Sequence, residues 1–428
     1  MPRPLPLSRE DAALLARTGP GTPAGNLLRG YWQPVALSED VEPGGPPYPL
    51  TVLGEDLVMF RDAVGAPSLI GRYCPHRGVD LSYARAEPGG LRCLYHGWLF
   101  DGRGRCLEQP GERPEARFTE QVRHPAYPCV EAAGCVFAYL GPGDPPPLPS
   151  FEALTAPTSH VRATRFLYES NYTLGLDHSL DPGHVSFLHL QFPHSERAGV
   201  DGPRPALGIT GTDLSANALY GRDRAPALET EQTPYGLRVA ALRRADEGHM
   251  FLRVLDYLHP NVVTAPVVAD GYVLQFHVPR DEGAHWRFDV TFDRTGSLAD
   301  QPGPPPHWRA GGHAPGPVRD RAHRYLQDRT SMGDWFAGMG VFPPDHDGCV
   351  LEETWPVAER HREQLGEQDR PLTEVRARLL RAIADHRDHG VLPPAAPDGP
   401  LVAFSAVVPE DSGDWRHHLR LRLDRAPR

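Results

Sequence analysis

The chain has 428 residues, 40% hydrophobic and 23% charged, with 55 acidic against 44 basic side chains and a formal charge of −11. That length supports two or three domains around a substantial core, and the acidic balance, with arginines dispersed along the chain, disfavours nucleic acid and anionic membrane surfaces as partners. All 44 basic residues are Arg, which excludes Schiff-base chemistry at a Lys. The six cysteines (Cys74, Cys93, Cys106, Cys129, Cys135 and Cys349) are too sparse for a disulfide scaffold. No apolar run approaches the roughly 18 residues of a membrane span, and the N-terminus lacks the apolar stretch of a secretory signal. The expectation is a soluble, cytoplasmic protein.

In chain order, Ser8 and Asp11 form a capping box for a short helix carrying Leu14 and Leu15, stopped by Gly19-Pro20-Gly21. From about Tyr31 to Leu140 the pattern changes to short β-rich pieces such as 50–53 and 57–60, separated by Gly, Pro and Asp turns. This predicts a small all-β domain, which ends at the stiff connector running from Gly141 to Pro149. The division expected is 1–150, with a core of about 31–141, and 151–428. In the second part, Tyr272, Leu274, Phe276 and Val278 share one face and Trp286, Phe288, Val290 and Phe292 another, which predicts an antiparallel hairpin around Arg280-Asp281-Glu282-Gly283. Residues 296 to 317 are Gly- and Pro-rich and read as a long surface loop. Leu372, Val375, Leu379 and Ile383 recur at helical spacing and predict an amphipathic C-terminal helix. The fold class expected is α+β.

Residues 74 to 98 hold two tight Cys-His pairs: Cys74-Pro75-His76-Arg77-Gly78, then sixteen residues after His76, then Cys93-Leu94-Tyr95-His96-Gly97-Trp98. Zinc accepts the same ligand types. Zinc fingers, however, pair Cys with Cys and His with His along the chain, whereas each loop here offers one of each. An iron–sulfur cluster with both Cys on one iron and both His on the other needs that pattern. Two imidazoles in place of two thiolates remove negative charge and raise the potential to roughly −150 to +300 mV, within reach of ferredoxin and flavin donors. C-x-H, sixteen residues, C-x-x-H resembles the Rieske [2Fe–2S] signature, and the Gly97-Trp98 that follows fits it too.

Downstream, residues 171 to 189 contain Asp181, His184 and His189. Taken alone, Asp181-Pro182 reads as a helix cap and the two histidines as incidental. A spacing of five sets two side chains about 140° apart on an ideal helix, so the segment must be irregular if both reach one ion. Beside a Rieske pattern, Asp-x-x-His-x-x-x-x-His resembles the catalytic iron motif of the Rieske non-haem iron oxygenases, and the terminal oxygenase component in particular.

That resemblance runs from Gly30-Tyr31-Trp32-Gln33-Pro34-Val35 to the helix near residue 383, and is strongest to the phthalate 4,5-dioxygenase and aromatic-acid O-demethylase group. It implies that Cys74, His76, Cys93 and His96 hold the cluster, and that His184 and His189 bind the mononuclear iron. Asp181 would be the bridge that receives a hydrogen bond from a cluster histidine of a neighbouring subunit. The group's third ligand is an Asp five residues before a Glu, which selects Asp347 ahead of Glu352, with Asp345 as the runner-up. Asn171 matches a near-iron Asn of the family and has a capping reading of equal weight. Tyr172, Leu174, Asp177, His178 and His346 replace the Trp, Gln, Glu, Gly and Gln usual in the group, so substrate identity does not transfer.

The cofactors implied are a [2Fe–2S] Rieske cluster and mononuclear Fe(II). Gly19 to Gly25 superficially suggests a phosphate loop, yet follows no strand and carries two prolines. Without a dinucleotide fingerprint the chain needs a separate NAD(P)H-dependent reductase, a ferredoxin, or both. The resemblance implies a head-to-tail homotrimer or stacked hexamer, and O₂-dependent hydroxylation or O-demethylation of a small aromatic acid. A non-aromatic or N-methyl substrate is the alternative within the family. An electron-transfer Rieske protein without oxygenase activity is the alternative outside it.

Overall fold

The computed structural model describes residues 4–61, 65–192, 209–210, 216–298, 319–340 and 342–424. The loop expected over 296 to 317 lies outside them from residue 299 onward.

The first helix, Arg9–Ala16, starts where its sequence dictates: the Ser8 hydroxyl accepts a hydrogen bond from the Asp11 amide at 3.0 Å. A second short helix, Pro23–Arg29, begins at Thr22, whose hydroxyl accepts from Gly25 N. The Gly19 to Gly25 stretch is therefore a helix entry. Three small antiparallel sheets follow. Trp32–Leu37, Cys135–Tyr139 and Cys129–Ala132 form one. Tyr48–Val52, Glu55–Arg61, Pro67–Gly71 and Ala126–Tyr127 form another, and the short strands Arg85–Glu87, Gly90–Arg92, Leu99–Phe100 and Cys106–Glu108 the third.

Val58, Phe60, Ile70, Leu81, Leu91, Trp98 and Phe100 make a compact apolar core around Cys74 and Cys93. The sheet holding Trp32–Leu37 belongs instead to the larger core, where Phe137 meets Phe276 edge-on at 5.7 Å. The β-rich part thus has one lobe with its own core and one sheet fused to the rest of the molecule.

Beyond the connector lies a nine-stranded sheet. Next to one edge of it is the expected hairpin, Gly271–Pro279 against His285–Asp293, with Tyr272 opposite Phe292, Leu274 opposite Val290, Phe276 opposite Phe288 and Val278 opposite Trp286. Val161–Tyr168 pairs with the outer edge of that hairpin, and the sheet continues on the other side through Val262–Ala265, His249–Leu258, Gly236–Asp246 and Ala227–Thr233. The helix Arg370–His389 buries Leu372, Val375, Leu379 and Ile383 on the larger core, worth roughly 2 kcal/mol for each side chain. The architecture is α+β, an antiparallel β-domain joined to a sheet-and-helix domain.

The helix Tyr172–Leu180 lies close on this sheet because residue 175 is Gly: a Cβ there would stand 2.4 Å from His285 Nε2 and 2.5 Å from His277 Nδ1. On the helix's other side Asp177 pairs with Arg376 at 2.7 Å and with Arg360. The helix is fixed on both flanks, and its C-terminal end carries the second of the two sites.

Candidate metal centres

The two Cys-His loops of the N-terminal lobe are the same turn built twice. Gly78 N donates to Cys74 O at 2.8 Å and Gly97 N donates to Cys93 O at 3.1 Å. Both glycines sit at positive φ, +73° and +75°, where a side chain would strain the turn. Each loop is closed by a second bond, Cys74 N to Val79 O at 2.9 Å and Cys93 N to Trp98 O at 2.9 Å. The loops bring Cys74, His76, Cys93 and His96 together. The imidazoles of His76 and His96 lie 4.5 Å apart, and Trp98 stacks on His76 at 4.4 Å, fixing that ring.

Two observations fit this pocket to a cluster. His96 Nδ1 is buried with no hydrogen-bond partner among the described residues, the condition of a nitrogen kept for a metal. Burial pushes the Cys74 thiol up to about 12, with Cys93 beside it adding to the rise, so the Cys74 sulfur becomes a thiolate only against a cation. Cys106, Cys129, Cys135 and Cys349 form no disulfide, and Cys106 packs in the same apolar core as Cys74 and Cys93.

The second site forms where the Tyr172–Leu180 helix ends. Asp181 caps it, and the chain turns through one 3₁₀ turn, His184–Ser186, with Leu188 N donating back to His184 O at 2.8 Å. That irregular run resolves the five-residue spacing. His184 and His189 face one another at 5.0 Å between ring centres, and both face Asp347 on the helix Pro343–Glu352. With His178 they form a group whose donor atoms all lie within 4.8 Å of one another. Asp345, two residues before Asp347 and so about 200° round the helix, pairs instead with Arg319 at 3.1 Å.

His184 and His189 each have their tautomer fixed by the outer nitrogen. His184 Nδ1 lies 2.6 Å from the Asp181 carbonyl, which can only accept, so Nδ1 carries the proton and Nε2 keeps its lone pair. His346 Nε2 donates to Gly340 O at 3.0 Å, its Nδ1 accepts from His189 Nδ1 at 3.1 Å, and His189 Nε2 is left free 3.2 Å from Asp347 Oδ1. Burial, with the neighbouring His178 and His189 rings, holds His184 well below the usual imidazole range and therefore neutral, as a ligand must be.

Asp347 is anchored at one oxygen. Oδ2 accepts from Arg287 Nη1 at 3.0 Å, and Oδ1 faces His178 Nε2 at 2.9 Å. Burial works to raise this carboxyl, but the His178 and His189 rings, where they carry a proton toward it, overcome that and hold it well below the usual carboxylate range. Arg287, itself buried, also bonds the partly buried Asp289 at 3.0 Å. Two imidazole lone pairs and an anchored carboxylate oxygen match a 2-His-1-carboxylate site for a ferrous ion.

The Asp181 carboxylate accepts from Gly183 N at 2.6 Å, and burial pushes it up from the usual range. It borders a cavity of about 560 Å³ shared with His178, Trp355 and Arg360. Asn171 stands apart. Its Oδ1 accepts from Thr173 N and Oγ1, and its Nδ2 donates to Ala16 O and Glu282 O, so it caps the helix two turns before His178.

Sequence reasoning did not place Arg287 at the site, and it saw His178 and His346 only as departures near the iron. The signal for Arg287 was the second face of its strand, where His285, Arg287 and Asp289 alternate opposite the apolar residues.

A lobe built to carry an iron–sulfur cluster and a second domain with an open ferrous site define an oxygenase supplied with single electrons. Residues 31–128 match the Rieske [2Fe-2S] domain family, and residues 138–423 match the family described as LigXa C-terminal domain like. The chain is 33% identical over 411 residues to the 3-chlorobenzoate-3,4-dioxygenase oxygenase subunit of Comamonas testosteroni, covering 90% of each. It is 34% identical over 436 residues to the phthalate 4,5-dioxygenase oxygenase subunit of Pseudomonas putida, covering 96% of this chain and 94% of that one. The fold is similar to that of dicamba monooxygenase bound to dicamba, with a TM-score of 0.57 at 18% identity, covering 85% of this chain and 99% of that one. The chain belongs to the Rieske non-haem iron oxygenases, as a terminal oxygenase component. Its cofactors are a Rieske [2Fe–2S] cluster and mononuclear iron. Among the described residues no helix is long and apolar enough to cross a membrane.

Proposed function

We propose that Cys74 and Cys93 hold one iron of the cluster and His76 and His96 the other, and that His184, His189 and Asp347 hold the mononuclear iron. The observation that carries this reading is the set of fixed tautomers: both imidazoles turn an unprotonated Nε2 inward while Arg287 leaves Asp347 Oδ1 for the ion. When bound, the cluster supplies single electrons and the ferrous ion supplies the open positions at which O₂ is activated beside the substrate.

The chain's residues do the rest. Arg287 and the carbonyls of Asp181 and Gly340 fix the donor set, the last through His346. Asp181 receives a hydrogen bond from a cluster histidine of a neighbouring copy and links the two centres, which calls for a head-to-tail ring, a trimer or stacked trimers. Supporting this are the exposed Tyr73, Tyr83, Leu94 and Tyr95 around the cluster loops, and the cavity at Asp181 lined by Trp355 and Leu365. We assign the cluster domain to 1–150 and the iron domain to 151–428.

The substrate class is a small aromatic acid, as the relatives' names suggest for those proteins, oxidised by ring hydroxylation or by attack on a methoxy group. Electrons come from a separate NAD(P)H-dependent reductase, directly or through a ferredoxin, in the cytoplasm. Chemically reduced protein, mixed with O₂ and a panel of methoxylated and unsubstituted aromatic acids, tests the assignment. Hydroxylated product or formaldehyde, formed in step with cluster oxidation, is the expected result. Cluster oxidation without oxygenated product from any acid removes the substrate class.

A further inference from the structure

The helix Tyr172–Leu180 contributes one imidazole that the ligand set above does not use. His178 stands one turn before Asp181 with its side chain nearly enclosed, and its Nε2 points at the same carboxylate oxygen as His189. We propose that His178 is a fourth protein ligand to the mononuclear iron, making the site three imidazoles and one carboxylate. This rests on the mononuclear iron of the preceding section.

Distances within the group carry the argument. Imidazole nitrogens bind divalent first-row ions at about 2.1 Å, so two donors at right angles on one ion lie about 3.0 Å apart. Asp347 Oδ1 lies 2.9 Å from His178 Nε2 and 3.2 Å from His189 Nε2. A ring centre lies about 3.2 Å from the ion its nitrogen binds, so adjacent imidazoles have centres about 4.5 Å apart and opposed ones about 6.4 Å apart. The observed separations are 4.2 Å for His178 and His184, 5.0 Å for His184 and His189, and 6.4 Å for His178 and His189. All three ring separations are therefore within the range for imidazoles that would share one ion.

The His178 Nε2 can turn a lone pair inward as readily as it can donate to Asp347. Four protein donors leave two of six positions open where three leave three, so one fewer water has to leave before O₂ and substrate are accommodated.

The test counts imidazoles at the ferrous centre without turnover. With the cluster oxidised and therefore silent in spin resonance, nitric oxide is added as a spin probe to the anaerobic holoenzyme, and nitrogen couplings are resolved by pulsed methods. Three imidazoles are expected in the unaltered protein and two in His178→Ala. The ferrous dissociation constant should rise at least about tenfold in that variant. His178→Gln keeps an N–H donor toward Asp347 but offers no imidazole, so it should resemble the Ala variant. Two imidazoles in the unaltered protein, or full recovery of affinity by Gln, overturn the proposal and leave the oxygenase reading intact. Absence of any nitrosyl signal removes the mononuclear centre itself, and this proposal with it.

Discussion

His189 and His346 share one proton between their Nδ1 atoms, 3.1 Å apart, and the carbonyl of Gly340 decides which ring carries it. Because His346 Nε2 donates to that carbonyl, His346 Nδ1 must accept, and His189 turns its lone pair toward Asp347. Replacing His346 with Leu removes the acceptor and should weaken ferrous binding by about ten- to a hundredfold. His346→Gln supplies a carbonyl acceptor and should bind iron nearly as well as the unaltered protein. Ferrous titration with a competing chelator checks both, with the cluster's visible absorbance as the internal control for folding.

Arg287 neutralises two carboxylates at once, the buried Asp347 and the partly buried Asp289, each at 3.0 Å. Burial acts against its charge, and Asp289, Tyr168 and Asp347 outweigh that and keep the guanidinium protonated. Arg287→Met leaves both acids without their cation and should cost roughly 3–5 kcal/mol of stability. Adding Asp289→Leu should return part of that loss, because one of the two stranded charges disappears. Denaturant unfolding of the two single variants and the double variant measures the coupling. Strict additivity would count against a shared ion-pair network.

These two arginine and histidine contacts show where sequence reading reaches its limit. The cluster loops were legible because their four residues lie within 23 positions and close on themselves through paired glycine turns. The hairpin and the C-terminal helix were legible because their apolar residues repeat at the period of the element. Arg287, His178 and His346 lie on three elements far apart in the chain, and nothing local says that they meet. Asp345 and Asp347 differ only in which side of the helix Pro343–Glu352 faces the histidines, a phase set by packing. For Asn171 the sequence left capping and a near-iron role equally weighted, and its four hydrogen bonds cap the helix and tie it to neighbouring segments.

Asp181→Asn separates electron delivery from iron binding. The amide oxygen can still accept from Gly183 N, and the backbone carbonyl still accepts from His184, so both metals should stay bound. Loss of the carboxylate charge should slow single-turnover oxidation of the reduced cluster by at least about a hundredfold. Stopped-flow absorbance in the cluster band follows it directly, and an unchanged rate would remove the bridging role.

Acid should weaken the fold before it reaches the carboxylates. Burial lowers His259 and His285 to about 4, whereas the unfolded chain takes up those protons near pH 6.5. Stability from each is therefore complete above about pH 6.5 and declines as pH falls toward 4, by up to roughly 3 kcal/mol per histidine. The guanidinium unfolding midpoint should be lower at pH 5 than at pH 7.5, and His259→Gln should reduce the difference. Equal midpoints at the two pH values would show that neither ring is held neutral.

The central claim is that one polypeptide holds a paired-iron cluster and a separate ferrous ion, and a Mössbauer spectrum of ⁵⁷Fe-enriched protein tests it most directly. The expected spectrum accounts for about three irons per chain, about two-thirds of its area from the coupled pair and about one-third from a high-spin ferrous site that disappears in His184→Ala. A spectrum containing the coupled pair alone, from protein reconstituted with excess ferrous iron, would contradict it.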